Sequence, residues 1–531
     1  MYIRQIKSQQ IQNQTFLLLT KQFFIMKKSF YLMAALLVAM VGCNKEIDSP
    51  DDGGISSADK VYMTFSIQTM TTRSATDAEG STNSDANPDY EVGTNEENQI
   101  SKVDIVLCNN DSYVVANDVV PTGTGSTYIA SFNSLSITSG TTYDIYIYAN
   151  CDAPATKNLD AITSVSVADM TAANQFWMTN AYQATQFTTP ADMSVFTSPA
   201  SPLNLGSHYV ERSMARFDMM PVSEFEIGNG IYVNLTHAAI INQAKDSYML
   251  RRVSVDGTAT NWVVGGVETP NNYVVSPAYA RTSDGWNGQD LIAVKNGEIL
   301  TSLMVNEKST WDWKALSSTT ADNWDGDTHS SGYYIWQYCK EHTIAGRTNQ
   351  FKGFITGIVF KGLIDSDDDT ILAAMGAKKT IYVFENIMYG AWEDVEAAAQ
   401  LANAPATLVA AVAEVNSASE DAKGNGQAYT LAGFTGYTPA TDGKYYTYYY
   451  YWNRHNDNGN PAEMGPMEFA VVRNNVYKLC VDKIAKLGHP ENPGLDPDPE
   501  YPDEPAESLN YYFNVTAKVL PWVVRVNHIE F

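Results

Sequence analysis

The sequence predicts a mainly β protein with at least two domains. Tyrosine is abundant, with 32 residues, and aromatic residues favour strands. Several segments alternate apolar and polar residues with a period of two, and turn signals separate them. With 531 residues, the chain is long enough for two domains or more, each with its own core. The expected architecture is β-sandwich domains with long decorating loops and a few short helices.

The N-terminus predicts an exported protein with a lipid anchor. Residues 1–25 are interpreted as a mis-assigned extension, and Met26 is the expected initiator. Residues 26–42 have a charged start, an apolar run and a small residue at the end, as in a signal peptide. Cys43 follows Val-Gly and resembles the lipobox cysteine that bacterial lipoproteins acylate. The alternative is an ordinary secretory signal in which Cys43 has no special role.

A short amphipathic strand is predicted directly after a polar tether. Residues 61–69 alternate in polarity, which indicates a strand with one buried face. Its apolar positions are Val61, Met63, Phe65 and Ile67.

A lone arginine follows this strand. Arg73 is the only arginine between Cys43 and Arg212, and residues 74–101 contain neither lysine nor arginine. That segment is polar and expected to be exposed, so the bond between Arg73 and Ser74 is a candidate site for an arginine-specific protease. The alternative is a surface arginine in a linker.

The body of the chain divides into two expected domains. Residues 74–206 form the first, with strands such as 102–108 and 141–149 and a weaker helical pattern over 167–182. Residues 207–487 form the second, with helices expected over 392–401 and, after Pro405, over 406–415. Within it, residues 261–348 show little periodicity and are expected to be long loops.

The composition and motifs argue against an enzyme. A formal net charge of −26 disfavours nucleic acid as a partner. The acidic run at 365–369 lacks the glycine and glutamate of an EF-hand, so a solvated turn is favoured. The tyrosines of 445–451 favour a strand with two aromatic faces over a sugar-stacking platform. No catalytic, cofactor or metal site is predicted, and Cys108, Cys151, Cys339 and Cys480 are expected to be buried thiols.

The C-terminus, residues 488–531, predicts an extended arm that ends in a strand. Six prolines lie between 490 and 505, which favours polyproline II. The apolar positions of the predicted strand are Leu509, Tyr511, Phe513, Val515, Val519, Trp522, Val524 and Val526. Their alternation changes parity at Pro521, so one long strand or two short ones are expected. This strand either folds back onto its own domain or enters a groove in another molecule by strand addition.

Several motifs together resemble a known family, the major shaft subunits of the Bacteroidia type V fimbriae, of the Mfa-like short-fimbria kind. They include the lipobox ending at Cys43 and the strand before Arg73. The others are Tyr209-Val-Glu-Arg-Ser-Met-Ala-Arg-Phe217, Gly357-Ile-Val-Phe-Lys-Gly362, Arg454-His-Asn-Asp-Asn-Gly459, Met464-Gly-Pro-Met-Glu-Phe469, Val472-Arg-Asn-Asn-Val-Tyr-Lys478 and Val519-Leu-Pro-Trp-Val-Val-Arg525.

The resemblance implies two transthyretin-like β-sandwich domains and a polymerisation mechanism. A lipidated precursor reaches the outer membrane, an arginine-specific protease cuts between Arg73 and Ser74, and the first strand leaves. A C-terminal strand of a neighbouring copy then fills the groove, which builds a surface fimbrium with a role in adhesion. The implied partners are other copies, minor anchor and tip proteins, the protease, and host or bacterial surface receptors. The alternatives are a minor tip or anchor component and a glycan-binding surface lipoprotein.

Overall fold

The structure is a computed structural model that describes residues 59–69, 91–123, 125–256, 261–265, 274–278, 304–305, 311–318, 333–344, 350, 354–456, 460, 464–465, 467–490 and 513–523. These residues belong to one unit, 59–531. Strands dominate and the helices are short, which confirms the predicted mainly β fold.

The first part of the chain holds ten strands among the described residues. They are β1 (Lys60–Thr69), β2 (Glu91–Val92), β3 (Val103–Cys108), β4 (Tyr113–Val119), β5 (Thr127–Asn133), β6 (Thr142–Ala149), β7 (Ile162–Thr163), β8 (Met178–Asn180), β9 (Thr185–Thr188) and β10 (Leu203–Arg212). Two short helices, α1 (Asn95–Asn98) and α2 (Val167–Met170), lie between them. The helix predicted over 167–182 is wrong beyond residue 170, because the chain enters β8 instead.

The first sheet has the strand order β4-β3-β6-β8-β10-β1-β5, with β9 beside β6. A bridge between Pro121 and Tyr128 joins the end of β4 to β5, so the sheet curls around its own core. Apolar side chains from nearly every strand meet there, because each strand turns alternate residues inward. Representative members of this core are Met63, Ile105, Phe132, Ile147, Met178 and Val210.

The rest of the chain supplies further strands and the longer helices. The strands are β11 (Met214–Met219), β12 (Glu224–Gly228), β13 (Ile231–Ile241), β14 (Gln243–Ala244), β15 (Ser247–Tyr248), β16 (Arg252–Ser254), β17 (Trp262–Val264), β18 (Met304–Val305), β19 (Lys314–Ala315), β20 (Tyr334–Lys340), β21 (Gly357–Ser366), β22 (Ile381–Phe384), β23 (Ile387–Tyr389), β24 (Thr435–Tyr437), β25 (Tyr446–Trp452), β26 (Asn475–Ile484), β27 (His489–Pro490) and β28 (Phe513–Val523). The helices are α3 (Asp369–Gly376), α4 (Trp392–Ala399), α5 (Ala406–Ser417), α6 (Glu420–Gly424) and α7 (Gln427–Leu431).

Two of these sheets share a second core. One has the order β2-β28-β26-β11-β20, and the other has the order β12-β13-β21-β25-β27, with β19 beside β13. Phe217 of β11 stacks on Tyr477 of β26 with 5.0 Å between ring centroids. Both rings belong to the same buried cluster as Val233 of β13 and Phe360 of β21, so the two sheets pack face to face.

A small helical insert joins β21 to β25. The helices α3–α7 and the sheet β23-β22-β24 make up this insert, which has its own core around Val395, Leu408 and Phe434. The two helices predicted on either side of Pro405 are confirmed as α4 and α5. At the start of the insert, Asp368 accepts backbone N–H bonds from Thr370 and Ile371, so one member of the acidic run caps α3.

Two further details bear on the sequence-based expectations. β10 runs through Gly206, the expected domain boundary, and the chain changes sheet at Ser213, between β10 and β11. The domain ranges 74–206 and 207–487 stay predictions. The segment 261–348 was expected to be loops, but it contains β20, which pairs with β11 inside a sheet.

Candidate functional site

The predicted strand after the tether occupies an interior position in the first sheet. β1 runs parallel to β10 over residues 63–69 and antiparallel to β5 over residues 60–66. An interior strand hydrogen-bonds on both edges. Without β1, the facing edges of β10 and β5 would therefore both lose their partner, which would create an open groove.

The inward face of β1 is part of the first core. Phe65 and Val61 are 1% exposed, Met63 is 0% exposed and Ile67 is 3% exposed. The alternation in the sequence thus predicted the buried face. Burial of side chains of this size contributes roughly 1.5–3 kcal/mol each relative to leaving them in water. β1 is therefore an integral part of this core, not a surface addition.

Phe65 lies in an aromatic slot, which we define by Tyr128 of β5 and His208 of β10. Its ring stacks on Tyr128 with centroids 5.4 Å apart and meets His208 edge-on at 6.3 Å. Burial raises the pKa of Tyr128 to about 12 and lowers the pKa of His208, so both side chains are neutral in the folded protein. The slot thus holds the ring of Phe65 between two uncharged rings, those of Tyr128 and His208.

β1 also makes polar contacts through its backbone and its outward-facing side chains. A separate strand could make contacts of the same kind. The Ser66 hydroxyl lies 2.7 Å from the Ser207 hydroxyl of β10. Near its start, the Tyr62 N–H donates to the Phe196 carbonyl at 2.8 Å. These contacts use backbone atoms or small hydroxyl groups, so another strand with suitable polarity could make similar ones.

The predicted processing residues lie outside the described residues. Cys43, Arg73 and Ser74 are in this group, so their lipidation and cleavage stay predictions. No helix among the described residues is long and apolar enough to cross a membrane.

The predicted C-terminal strand lies in a sheet of its own chain. β28 pairs antiparallel with β26, from Ile484 opposite Phe513 to Asn475 opposite Pro521. On its other edge, among the described residues, it pairs with β2 through two parallel pairs at residues 91–92 and 522–523. Of the two possibilities the sequence leaves open, the single chain adopts the one in which the strand folds back.

The strand prediction covers part of β28. Phe513, Val515, Val519 and Trp522 lie within β28, whereas Leu509, Tyr511, Val524 and Val526 lie outside the described residues. The strand passes through Pro521 without ending there. Insertion of this segment into a second copy stays a prediction.

A buried ion cluster lies where the first sheet meets the second core. Arg216 contacts Glu97 at 2.9 Å and Asp218 at 2.8 Å, and all three side chains are nearly inaccessible. The Tyr338 hydroxyl donates to Glu97 at 2.7 Å. Burial is the main cause that raises the pKa of Tyr338, and the negative charge of Glu97 raises it further. Arg212 also donates to the Glu97 carbonyl at 3.2 Å.

This cluster explains part of the junction motif at 209–217. Its two arginines lie on β10 and β11, on either side of the change of sheet, and both bind the segment around α1. Glu97 was missed by sequence reasoning. Thr94 and Glu97 have the spacing of a capping box, and the structure shows that box, so the pattern could have marked the start of α1.

The run at 472–478 also contains a residue with a buried partner. Arg473, before β26, forms an ion pair with Glu341 at 3.2 Å and donates to the Tyr248 carbonyl at 2.7 Å. A buried arginine is stable only when its charge and donors are satisfied, so this residue fixes three chain segments together.

The remaining polar groups that the structure describes do not suggest a catalytic or metal-binding site. In the part of the chain that the structure describes, no group of three or more His, Cys, Asp or Glu residues is placed to hold a metal ion. Cys108, Cys151, Cys339 and Cys480 are free thiols, and the first three are buried. On β25, Tyr449 faces the second core while Tyr448 packs against Trp311 on the opposite face, as expected of a strand with two aromatic faces.

Comparisons with known proteins point to fimbriae. Residues 61–222 match the family described as major fimbrial subunit protein (FimA). Residues 443–528 match the family described as major fimbrial subunit protein type IV, fimbrillin, C-terminal. No curated protein matches the chain.

Solved structures from Parabacteroides and Bacteroides species are similar at low identity. One is a candidate cell adhesion protein from Parabacteroides distasonis, with 11% identity and a TM-score of 0.42, covering 88% of this chain and 99% of that one. Another, from Bacteroides eggerthii, has 12% identity and a TM-score of 0.35, covering 88% and 97%. A fimbrial assembly protein from Parabacteroides distasonis has 9% identity and a TM-score of 0.23, covering 58% and 96%.

The matched segments contain the features described above. The first begins at Val61, inside β1, and includes β10 and the junction motif, while the second includes β25, β26 and β28. Residues 61–222 and 443–528 of this chain are therefore similar to major fimbrial subunits, of the FimA and fimbrillin C-terminal families.

Proposed function

We propose that this chain is the polymerising shaft subunit of a cell-surface fimbrium. The family matches support a structural fimbrial role. Beyond that role, we propose export as a lipoprotein anchored through Cys43, cleavage between Arg73 and Ser74, and polymerisation by strand exchange. The observation that carries this proposal is the interior position of β1, directly before the lone Arg73.

Loss of β1 would leave an open groove that another strand could fill. Two strand edges and a buried apolar face would become exposed together, and such a surface binds an added strand through main-chain hydrogen bonds and side-chain pockets. The predicted C-terminal strand has the required alternation of apolar residues, and a proline-rich arm precedes it. A strand on a proline-rich arm could reach the groove of a neighbouring copy.

Among the described residues, the C-terminal strand has fewer paired positions in its own chain than it would have in the groove. β28 pairs along one edge with β26, whereas its other edge meets β2 through two residue pairs. In the groove, a strand would find β10 on one side and β5 on the other. An additional ladder would favour exchange, since each paired residue satisfies backbone donors and acceptors.

The test is the N-terminal sequence of the protein extracted from the cell surface, compared with that of an Arg73→Ala variant. We expect the wild-type chain to begin at Ser74 and to occur in polymers, and the variant to remain as lipidated monomers in the membrane. Arg73→Lys is the matched control for an arginine-specific protease, and it should behave like Arg73→Ala.

Two outcomes would contradict the proposal. Polymers formed by Arg73→Ala would show that cleavage is not required. A wild-type surface protein that begins with acylated Cys43 would instead identify an anchor component or a lipoprotein of another kind.

A further inference from the structure

The aromatic slot around Phe65 has a polar atom that β1 leaves unsatisfied. His208 is 3% exposed, and its Nε2 atom has no hydrogen-bond partner among the described residues. The ring bonds the Leu205 backbone, which assigns the ring proton to Nδ1 and leaves Nε2 as an acceptor. Phe65 has no polar atom with which to satisfy it. A buried acceptor without a donor costs free energy, so the resident strand fits this slot imperfectly.

An aromatic residue that carries a donor would fit the slot better than phenylalanine. Trp522 has an indole N–H, a donor that a phenyl ring lacks. Tyr511 is the other aromatic donor at an apolar position of the predicted strand. Phe513 has no donor.

The sequence around Trp522 fits the groove in one direction. If Trp522 takes the place of Phe65 and the incoming strand runs antiparallel to β1, Leu520 falls at the position of Ile67 and Val524 at that of Met63. Val526 then falls at the position of Val61, so all four inward positions are apolar.

The opposite direction places a charge in the core. With the incoming strand parallel to β1, Lys518 would fall at the position of Val61, which is 1% exposed. A buried, unpaired lysine is strongly unfavourable. In the antiparallel direction, Lys518 falls instead at the position of Thr69, which is half-buried at the end of β1.

The proline beside Trp522 also falls at a tolerant position. In the antiparallel register, Pro521 takes the place of Ser66, next to the register shift between Thr64 and Ser66 in the pairing of β1 with β10. Proline lacks a backbone N–H and is found in sheets mainly at edges and irregularities. The same register therefore accommodates both residues.

We propose that the slot formed by Tyr128 and His208 is the specificity pocket for the incoming strand, and that it receives Trp522 of a second copy with the indole N–H donating to His208 Nε2. The incoming strand runs antiparallel to β1. This inference rests on the proposed function, and it adds the anchor residue, the direction and the register of exchange.

The first test compares Trp522→Phe with Tyr511→Phe in the full-length precursor, which an arginine-specific protease then processes. Both variants keep an aromatic ring and remove one donor. Loss of one buried hydrogen bond changes an equilibrium by about two- to tenfold, so polymers of Trp522→Phe should dissociate about two- to tenfold faster than wild type on mild heating in detergent. Tyr511→Phe should behave like wild type.

The second test couples the two residues. His208→Phe removes the unsatisfied acceptor, so we expect the unprocessed precursor to melt at an unchanged or higher temperature while its polymers dissociate faster. In the His208→Phe background, Trp522→Phe should have no further effect on dissociation. If His208→Phe does not fold, the comparison of Trp522→Phe with Tyr511→Phe still tests the inference, because both substitutions are in the C-terminal arm and leave His208 unchanged.

Three results would overturn the inference. Trp522→Phe polymers could dissociate as slowly as wild type, or Tyr511→Phe polymers could dissociate faster instead. The third result is that Trp522→Phe speeds dissociation equally with and without His208. These results leave strand exchange itself intact. Polymer formation by a chain that lacks residues 509–531 would instead refute the proposed function, so the two failures are distinguishable.

Discussion

Phe65 is the residue that ties the first strand most firmly to its core. We expect Phe65→Ala to lower the free energy of unfolding of the precursor by about 3–5 kcal/mol, the usual cost of removing a buried aromatic ring. Chemical denaturation of the unprocessed chain measures this change. Gln68→Ala, on the exposed face of the same strand, is the matched control and should change the free energy by less than about 0.5 kcal/mol.

Phe65→Ala also tests whether β1 stays in the mature fibre or leaves on cleavage. If β1 leaves on cleavage, processed subunits that carried Phe65→Ala should form polymers as stable as those of wild type. Weaker polymers from this variant would indicate that β1 stays in the mature fibre.

His342 makes the stability of the folded chain depend on pH. The side chain is 1% exposed, its Nδ1 atom lies 2.8 Å from the Thr356 hydroxyl, and burial lowers its pKa to about 4. An unfolded histidine has a pKa of about 6.5, so the unfolded chain binds more protons than the folded chain between these values. Stability is therefore full above about pH 6.5 and falls as the pH drops towards 4, by about 3 kcal/mol for this group.

Unfolding measured at pH 7 and at pH 4.5 checks this dependence. His342→Gln keeps a polar side chain of similar reach but does not titrate, so the variant should lose less stability than wild type over the same interval. An identical loss in both proteins would assign the effect to other groups.

Individual residues also show where sequence reasoning stopped. The buried face of β1 was predictable because alternation reports burial directly, and Val61 to Ile67 follow it without exception. Glu97 and His208 were not predictable, because their importance depends on Arg216 and Phe65, which are distant in sequence and close only after folding.

At the scale of elements, β28 must leave β26 if it is to enter another copy. Thr516 lies directly opposite Cys480 in the antiparallel register, and paired positions of neighbouring antiparallel strands lie within disulfide reach. Thr516→Cys should therefore form a disulfide with the native Cys480 under oxidising conditions. We expect the oxidised, processed protein to remain monomeric and to polymerise after reduction, as followed by sedimentation.

The control carries Cys480→Ala together with Thr516→Cys and should polymerise under both conditions. Polymers of the oxidised single variant would mean that β28 stays on its own sheet in the fibre. Forming this disulfide needs an added oxidant, and because burial raises the pKa of Cys480 to about 11, the oxidation is best run at alkaline pH, where more thiolate is present.

The elements that sequence analysis predicted well are those whose pattern is local. α4 and α5 show helical periodicity and an intervening proline, and both form as expected. β20 was missed because its seven residues lie in a segment dominated by turn-forming residues, and its partner β11 is remote in sequence. α2 ends early because the following residues pair with β6 and β10, so tertiary pairing overrides the local tendency.

At the scale of the whole molecule, the two ends of the chain have complementary roles in the proposed assembly. Deletion of residues 509–531 should leave soluble monomers after cleavage, because the groove is open but no strand is available to fill it. Size-exclusion chromatography of the processed truncation tests this expectation. Addition of a synthetic peptide of residues 509–531 should restore a filled groove without restoring polymers, whereas polymers without the peptide would contradict strand exchange.

The buried ion cluster around Glu97 bears on how such a fibre transmits load. Arg212 and Arg216 connect β10 and β11 to the segment that follows β2, so the first sheet and the second core are held by charged groups as well as by the chain. Breaking one partner of a buried pair leaves an uncompensated charge, which is strongly destabilising.

The interior position of β1 also has a consequence for timing. While β1 is joined to the chain, it competes for its groove at an effective concentration on the order of millimolar, as expected for a short tether. A strand of another copy, present at far lower concentration, cannot displace it. In the proposed assembly, cutting the tether would turn β1 into a free peptide that dilutes away once it dissociates, and the incoming strand would then be favoured. A single hydrolysed bond would thus act as a one-way start signal for assembly.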